Sequence, residues 1–159
     1  MKKSLPFNLS DLFNFLDRAD KATYAGGGKE TKPERKGFHE LEYKAGDFYY
    51  RDSYVGHYRS RGMTIVRYKG KPVYASLYGG GMIKGKEKLA NECFEFLKKA
   101  MSTDEKGFES HRGPHRLKLG DWKYKYDQEG DIEEFSGYEE IYYKGELIFF
   151  HRIFGGLII

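Results

Sequence analysis

The chain has 159 residues, of which 39% are hydrophobic, 17% aromatic and 33% charged. This length favours one domain over residues 1–159, and the aromatic content excludes a disordered chain. The net charge of +4 is too small to argue by itself for a nucleic-acid-binding protein.

The sequence also limits the compartment. Cys93 is the sole cysteine, so no intramolecular disulfide can form. The sequence has no apolar run long enough to cross a bilayer and no apolar signal region at its start. We therefore expect a cytoplasmic protein without membrane contact. Its many Lys and Glu residues, with few Asn and Gln, resemble the surface composition of thermophile proteins.

The first half predicts a helix followed by four strands. Leu9, Leu12, Phe13 and Leu16 recur at helical spacing, which predicts a helix from Leu9 to Ala22 that ends before a run of three glycines. Aromatic and β-branched runs then predict strands at His39–Tyr43, Asp47–Tyr54, Tyr58–Tyr68 and Pro72–Tyr78.

The second half repeats this order. A glycine-rich and lysine-rich link over residues 79–88 leads into a helix at about Glu87–Met101, whose apolar side includes Cys93. Four more strands are predicted at His115–Leu119, Asp121–Asp127, Ile132–Tyr143 and Leu147–Phe154.

Three landmarks recur in order after 74 to 76 residues. The pairs are Gly46-Asp47 with Gly120-Asp121, Lys69-Gly70 with Lys144-Gly145, and Gly79-Gly80 with Gly155-Gly156. The spacing predicts an internal duplication, with repeats at about 9–82 and 85–159. We expect an α+β fold, a duplicated helix-plus-four-antiparallel-strand repeat with two helices on one face of a twisted antiparallel sheet.

The hairpin around Lys144-Gly145 offers one candidate site. A two-residue loop would place Tyr138 opposite His151 and Glu140 diagonal to His151, on one face of the sheet. A carboxylate beside an imidazole can work as an acid–base pair. The alternative is an ordinary ion pair on a half-exposed sheet face.

Aromatic surroundings mark two further candidates. Asp52 shares one side of its strand with Tyr50 and Tyr54, so it is either an acid of raised pKa with a catalytic or ligand-binding role, or a structural Asp bonded to a tyrosine hydroxyl. Trp122 lies with Tyr124 and Tyr126 on the matching face of the second half, where this wall either stacks on a planar ligand or packs in the core.

No cofactor or metal site is predicted. His111 and His115 are four residues apart, but Gly113 and Pro114 between them do not fit a regular helix that would hold a metal. The run Gly26-Gly27-Gly28-Lys29 lacks the remaining residues of a phosphate-binding loop.

Short motifs of one family are distributed over most of the chain. They are Thr23-Tyr24-Ala25-Gly26-Gly27-Gly28, Gly46-Asp47-Phe48-Tyr49-Tyr50, Asp52-Ser53-Tyr54-Val55-Gly56, Lys71-Pro72-Val73-Tyr74, Arg112-Gly113-Pro114 and Phe135-Ser136-Gly137-Tyr138-Glu139-Glu140-Ile141. Together they resemble an uncharacterised prokaryotic domain of unknown function that in bacteria often follows an Xre-type helix-turn-helix domain. The resemblance extends from about Leu12 to Gly156. It implies a domain associated with transcription regulation, used for effector binding or oligomerisation, and implies no catalytic residues.

Three positions depart from the family pattern. The resemblance implies an acidic residue in the family where this chain has Thr64. It implies Trp and Met where this chain has Tyr74 and Ser76. If these positions line a pocket, we expect the ligand of this chain to differ from that of its relatives.

The leading functional hypothesis is a small-molecule-binding or regulatory domain with an aromatic-lined pocket between the two repeats. The predicted ligand-binding residues are Tyr24, Asp52, Tyr54, Trp122, Tyr138, Glu140 and His151.

Three alternatives stay open. One is an enzyme that uses Glu140 with His151, or Asp52, as acid and base. Another is direct nucleic-acid contact through a basic strand face, for which an ordinary solvated face is the favoured explanation; its residues are Arg116, Lys118, Lys123 and Lys125. The third is a homo-oligomer whose exposed aromatic side chains form the subunit contact.

Overall fold

The structure is a computed structural model that describes residues 4–158, so residues 1–3 and 159 of the predicted domain range lie outside the described residues. Its helices are α1 (Leu9–Ala22), a 3-10 turn (Glu87–Leu89) and α2 (Ala90–Met101). Helix α1 buries Leu12, Phe15, Leu16 and Ala19, the stripe expected of an amphipathic helix.

Eight strands form a single sheet, and every neighbouring pair is antiparallel. Its strand order is β1-β2-β3-β4-β8-β7-β6-β5. The α+β class with one antiparallel sheet and two helices is therefore confirmed. The strands are β1 (His39–Ala45), β2 (Phe48–Gly56), β3 (Arg59–Tyr68), β4 (Lys71–Met82), β5 (Arg116–Leu119), β6 (Trp122–Gly130), β7 (Glu134–Tyr143) and β8 (Glu146–Leu157).

The Lys-Gly loops are two-residue hairpin turns, as the sequence predicts. Lys69 and Gly70 have φ of 48° and 81°, and Lys144 and Gly145 have φ of 50° and 82°. Positive φ at both central residues defines the turn that matches the twist of the flanking strands. These turns join β3 to β4 and β7 to β8.

Strand β4 is longer than the sequence predicts. It continues through three glycines to Met82, where a linking segment was expected. A Cβ at Gly80 would lie 2.0 Å from the carbonyl oxygen of Phe150, and one at Gly81 would lie 2.2 Å from that of Tyr58. The bare glycine backbone therefore allows β4 to approach its neighbours closely, which a prediction from strand propensity misses.

Both helices contribute to one hydrophobic core against one face of the sheet. This core includes Phe15 of α1, Cys93 of α2, Tyr50 of β2 and Tyr124 of β6. The opposite face, called the outer face below, leaves Leu77 and other large apolar side chains exposed. The proposed duplication is not established by this arrangement and stays a prediction.

No helix among residues 4–158 is long and apolar enough to span a membrane.

Candidate functional site

A cavity of about 310 Å³ lies between the two helices and the centre of the sheet. Strands β2, β3, β4 and β8 form its floor, and α1, α2 and residues 110–112 form its walls. Strands β4 and β8 are the neighbours through which the two halves of the sheet meet. The cavity therefore lies at the junction of the two halves.

The alternation of strand β2 brings an acid and two tyrosines to the cavity. Tyr50, Asp52 and Tyr54 are two residues apart, so they share the helix-covered face, and all three line the cavity. The partners of Asp52 and Tyr50 on β3 are Thr64 and Val66.

Asp52 is 5% exposed and is bonded only by neutral donors. The Tyr78 hydroxyl donates to its two carboxylate oxygens at 2.9 and 3.0 Å, and Thr64 Oγ1 donates at 3.1 Å. Burial raises the pKa of Asp52 to about 6, although these hydrogen bonds and the charge of Arg112 act in the opposite direction. Both sequence interpretations of Asp52 therefore hold in part: it accepts a bond from a tyrosine, and its pKa is raised.

A second acid, Asp20, enters the cavity from the last turns of α1. The Tyr50 hydroxyl donates to its Oδ1 at 3.1 Å. Burial raises the pKa of Asp20 to about 7, against the opposing effects of Arg112 and this hydrogen bond. Within residues 4–158, neither Asp20 nor Asp52 has a basic side chain at salt-bridge distance.

Arg112 is a buried cation whose charge lowers the pKa of both acids, and that charge is balanced by another acid. Its Nε and Nη2 each lie 3.1 Å from an oxygen of Glu139, which is fully buried on β7. The Tyr124 hydroxyl donates to the same carboxylate at 2.6 Å. Burial alone would raise the pKa of Glu139, but the Arg112 guanidinium and the contact with His151 together outweigh burial and lower that pKa to about 2.

Two charged groups contact Nδ1 of His151. Arg112 Nη2 lies 3.1 Å and Glu139 Oε1 3.4 Å from this nitrogen. The shorter contact, with a guanidinium that can only donate, favours a proton on Nε2, whereas the longer contact with Glu139 favours a proton on Nδ1. Burial and the Arg112 charge lower the pKa of His151, although its contact with Glu139 acts in the opposite direction.

The tautomer decides what His151 can do at the cavity wall. Its Nε2 lies 3.4 Å from Ser60 Oγ, and both residues line the cavity. The sequence of contacts from Ser60 through His151 to Glu139 resembles a nucleophilic triad in outline. In the tautomer that the Arg112 contact favours, Nε2 already carries a proton, so His151 donates a hydrogen bond and cannot take a proton from Ser60.

His111 also lines the cavity and has a polar atom without a hydrogen-bond partner among the described residues. Its ring stacks on Phe135 at 4.1 Å between centroids, and its Nδ1 lies 3.3 Å from the Tyr74 hydroxyl. Its Nε2 is the one buried side-chain nitrogen or oxygen of residues 4–158 that has no hydrogen-bond partner. Burial lowers the pKa of His111 to about 4, so the ring is neutral at pH 7. A polar ligand atom could satisfy Nε2.

The prediction that Tyr138 and Glu140 share a face of the sheet with His151 is wrong. The partner of His151 is Glu139, while Tyr138 and Glu140 are paired with Arg152 and Phe150. The register shifts between Ile141 and Tyr142, where β8 carries one extra residue. This bulge reverses the faces of the β8 residues that follow it, so His151 shares a face with Glu139. Tyr138 and Glu140 therefore lie on the outer face.

The other predicted residues divide between cavity and core. Tyr24, Asp52, Tyr54 and His151 line the cavity. Trp122 does not line it and packs on Tyr143 and Phe96, with ring centroids 4.7 and 5.7 Å apart. The ligand-binding role of these side chains stays a prediction.

Three cavity or near-cavity residues were missed, although two of them carried a signal. Asp20 continues the helical stripe of Leu12 and Leu16, where an acid is out of place. Glu139 alternates with the inward residue Ile141 and is recognisable once the register is known. Arg112 lies in a loop and has no periodic signal.

No group of three or more His, Cys, Asp or Glu side chains in the described part of the chain is arranged to hold a metal ion. His115, the second histidine of the rejected metal motif, stacks on Phe108 with centroids 3.7 Å apart. Its Nδ1 lies 3.0 Å from Glu105 Oε1.

Comparison with protein-family models gives one match, over residues 52–158, to a domain of unknown function, DUF5680. Neither the curated proteins nor the solved structures include a match to the chain.

Proposed function

The chain belongs to the DUF5680 family of domains of unknown function, and we propose that it is a small-molecule-binding domain of the effector type whose ligand occupies the cavity between the helices and the centre of the sheet. The observation that carries this proposal is the cavity itself. Its volume of about 310 Å³ falls at the lower end of the range for ligand pockets.

The polar groups of the cavity support a role beyond stability. Asp20 and Asp52 have raised pKa values of about 7 and about 6, so their ionisation destabilises the folded protein. Perturbed carboxylate pKa values cluster at functional sites, so these two acids support a binding role for the cavity. The unpartnered Nε2 of His111 adds a group that a ligand can satisfy.

The positions that depart from the family pattern also line the cavity. They are Thr64, Tyr74 and Ser76. Differences at a cavity wall change the shape and the hydrogen bonds offered to a ligand. We infer that this chain and its relatives select different ligands with a shared architecture.

An enzyme is the second candidate, favoured by the pKa of Asp52 near 6, which suits a general acid or base. An enzyme that uses Glu140 and His151 as its acid and base needs these two side chains next to each other. These residues occupy opposite faces of the sheet, so that pair lacks its geometric basis. His151 with its proton on Nε2 could still donate to a substrate oxygen.

The wider setting follows from the resemblance alone. The resemblance implies an association with Xre-type regulators, and we propose that ligand binding changes how this domain contacts such a protein or a second copy of itself. The repeated hairpins and the mirrored strand order support an origin by duplication of one helix-plus-four-strand unit.

The experiment is a thermal-shift screen against a library of small metabolites, with two matched variants. Ser76→Phe fills the cavity, and Leu77→Phe adds an aromatic ring at the next residue on the outer face. A ligand at 100 times its Kd adds about 2.7 kcal/mol of stability, which raises Tm by roughly 5–10 °C in a protein of this size.

We expect at least one compound to raise the Tm of the wild type and of Leu77→Phe but not that of Ser76→Phe. A screen without a stabilising compound, or with compounds that act equally on both variants, contradicts the proposal.

A further inference from the structure

Resting on the proposed function, we propose that the ligand is a small organic cation, an amine held between Asp20, Asp52 and the surrounding tyrosine rings. The two carboxylates reach the cavity from different elements, Asp20 from α1 and Asp52 from β2.

The charge balance of the cavity leaves a negative excess. Arg112 is neutralised by Glu139 through two contacts of 3.1 Å. Asp17 and Glu30 at the cavity wall each have a basic partner, Lys21 at 3.0 Å and His39 at 2.9 Å.

Lys98, also at the wall, lies 3.1 Å from Glu95. Asp20 and Asp52 are thus the acids of the cavity wall that lack a salt-bridge partner within residues 4–158. A ligand with one positive charge would supply the missing salt-bridge partner.

Aromatic rings complete the environment that a cation requires. Tyr24, Tyr50, Tyr54 and Tyr78 line the cavity with Phe13 and Phe94. The face of an aromatic ring carries negative potential and attracts ammonium groups within about 6 Å of its centroid. Two of these rings already accept a cation of the protein: Lys98 Nζ lies 5.6 Å from the Tyr24 ring and Arg112 Cζ 5.6 Å from the Tyr78 ring.

Titratable groups line the cavity from every element around the two carboxylates. They are Asp17 from α1, Tyr24 and Glu30 from the segment after α1, His39 from β1, Tyr50 and Tyr54 from β2, His57 from the turn after β2, Tyr74 and Tyr78 from β4, Lys98 from α2, His111 and Arg112 from the loop, and His151 from β8. The lysine and the arginine among them, Lys98 and Arg112, each have an acidic partner. An anionic ligand would face the two carboxylates without a free cation to receive it.

Cation binding is coupled to proton release. The positive charge of the ligand favours the ionised form of both acids, so the affinity for a cation rises as the pH rises through about 6 to 7. A neutral ligand of the same shape has no such dependence.

The test uses three indole compounds of similar size and different charge: tryptamine, tryptophol and indole-3-acetate. Their affinities are measured by isothermal titration calorimetry at pH 8 and pH 5 for the wild type, Asp20→Asn and Asp52→Asn. Glu140→Gln serves as the matched control, because it removes a carboxylate of the outer face. Circular dichroism confirms that each variant is folded.

At pH 8 we expect tryptamine to bind at least tenfold more tightly than tryptophol, and indole-3-acetate to bind most weakly. Asp20→Asn and Asp52→Asn each reduce the preference for tryptamine several-fold, Glu140→Gln leaves it unchanged, and the preference declines at pH 5.

Tryptophol or indole-3-acetate binding as tightly as tryptamine overturns the inference while the proposed function stands. No binding of any of the three compounds at millimolar concentration also overturns it. The proposed function is then decided independently by the thermal-shift screen with Ser76→Phe.

Discussion

Asp52→Asn tests whether a carboxylate of the cavity destabilises the fold. Burial raises the pKa of Asp52 to about 6 in the folded protein, against an ordinary value of 3.8. A folded-state pKa above the unfolded value means that the folded protein loses stability as the pH rises between these two values. At about 1.4 kcal/mol per pKa unit, the ionised carboxylate costs up to about 3 kcal/mol at pH 8.

The asparagine keeps an oxygen that accepts the hydrogen bonds of Tyr78 and Thr64, so most of the local geometry survives. We expect Asp52→Asn to be more stable than the wild type by about 1–3 kcal/mol at pH 8. This difference should disappear at pH 4, where the aspartate is protonated in the folded protein.

Urea unfolding followed by circular dichroism measures both free energies of unfolding, with Glu140→Gln as the control for loss of a carboxylate on the outer face. If Asp52→Asn is less stable than the wild type at pH 8, the carboxylate stabilises the fold. A binding role would then no longer be needed to explain this buried acid.

Two further substitutions test the structure around the cavity. Arg112→Leu leaves Glu139 buried without its cation and is expected to cost about 3–5 kcal/mol of unfolding free energy, most of which a second change, Glu139→Leu, restores. A urea-unfolding double-mutant cycle measures this coupling, and independent effects of the two changes would contradict it. Gly62→Ala places a Cβ 2.4 Å from the Tyr78 ring, so we expect a loss of about 1–3 kcal/mol in urea unfolding and displacement of Tyr78 from Asp52. Unchanged stability and an unchanged Tyr78 NMR signal would contradict that account.

The helices and strands were accessible from sequence because their signals are local. The apolar spacing of α1 predicted Leu9–Ala22, the bounds that the structure has. The period of two along β2 predicted that Asp52 and Tyr54 share a face with Tyr50. Turn chemistry also sufficed for the Lys-Gly hairpins, since a positive φ at both central residues has a recognisable composition.

The candidate site was only partly accessible because two of its determinants are not local. The extra residue of β8 near Ile141 and Tyr142 shifts the register by one, and nothing in the residue types there distinguishes a bulge from a regular pair. The count from the turn therefore selected Glu140, whereas Glu139 faces His151. Arg112 reaches Glu139 across 27 residues of chain, and periodicity carries no information about such a contact.

The central claim, that a ligand occupies the cavity between the helices and the sheet, is tested most directly by a crystallographic fragment screen. Crystals are soaked with small amines, alcohols and acids, and bound fragments are located by electron density. The account predicts that bound fragments collect in the cavity against Asp20, Asp52 and the tyrosine rings, with amines the most frequent. Fragments found on the outer face alone, with none in the cavity, would contradict it.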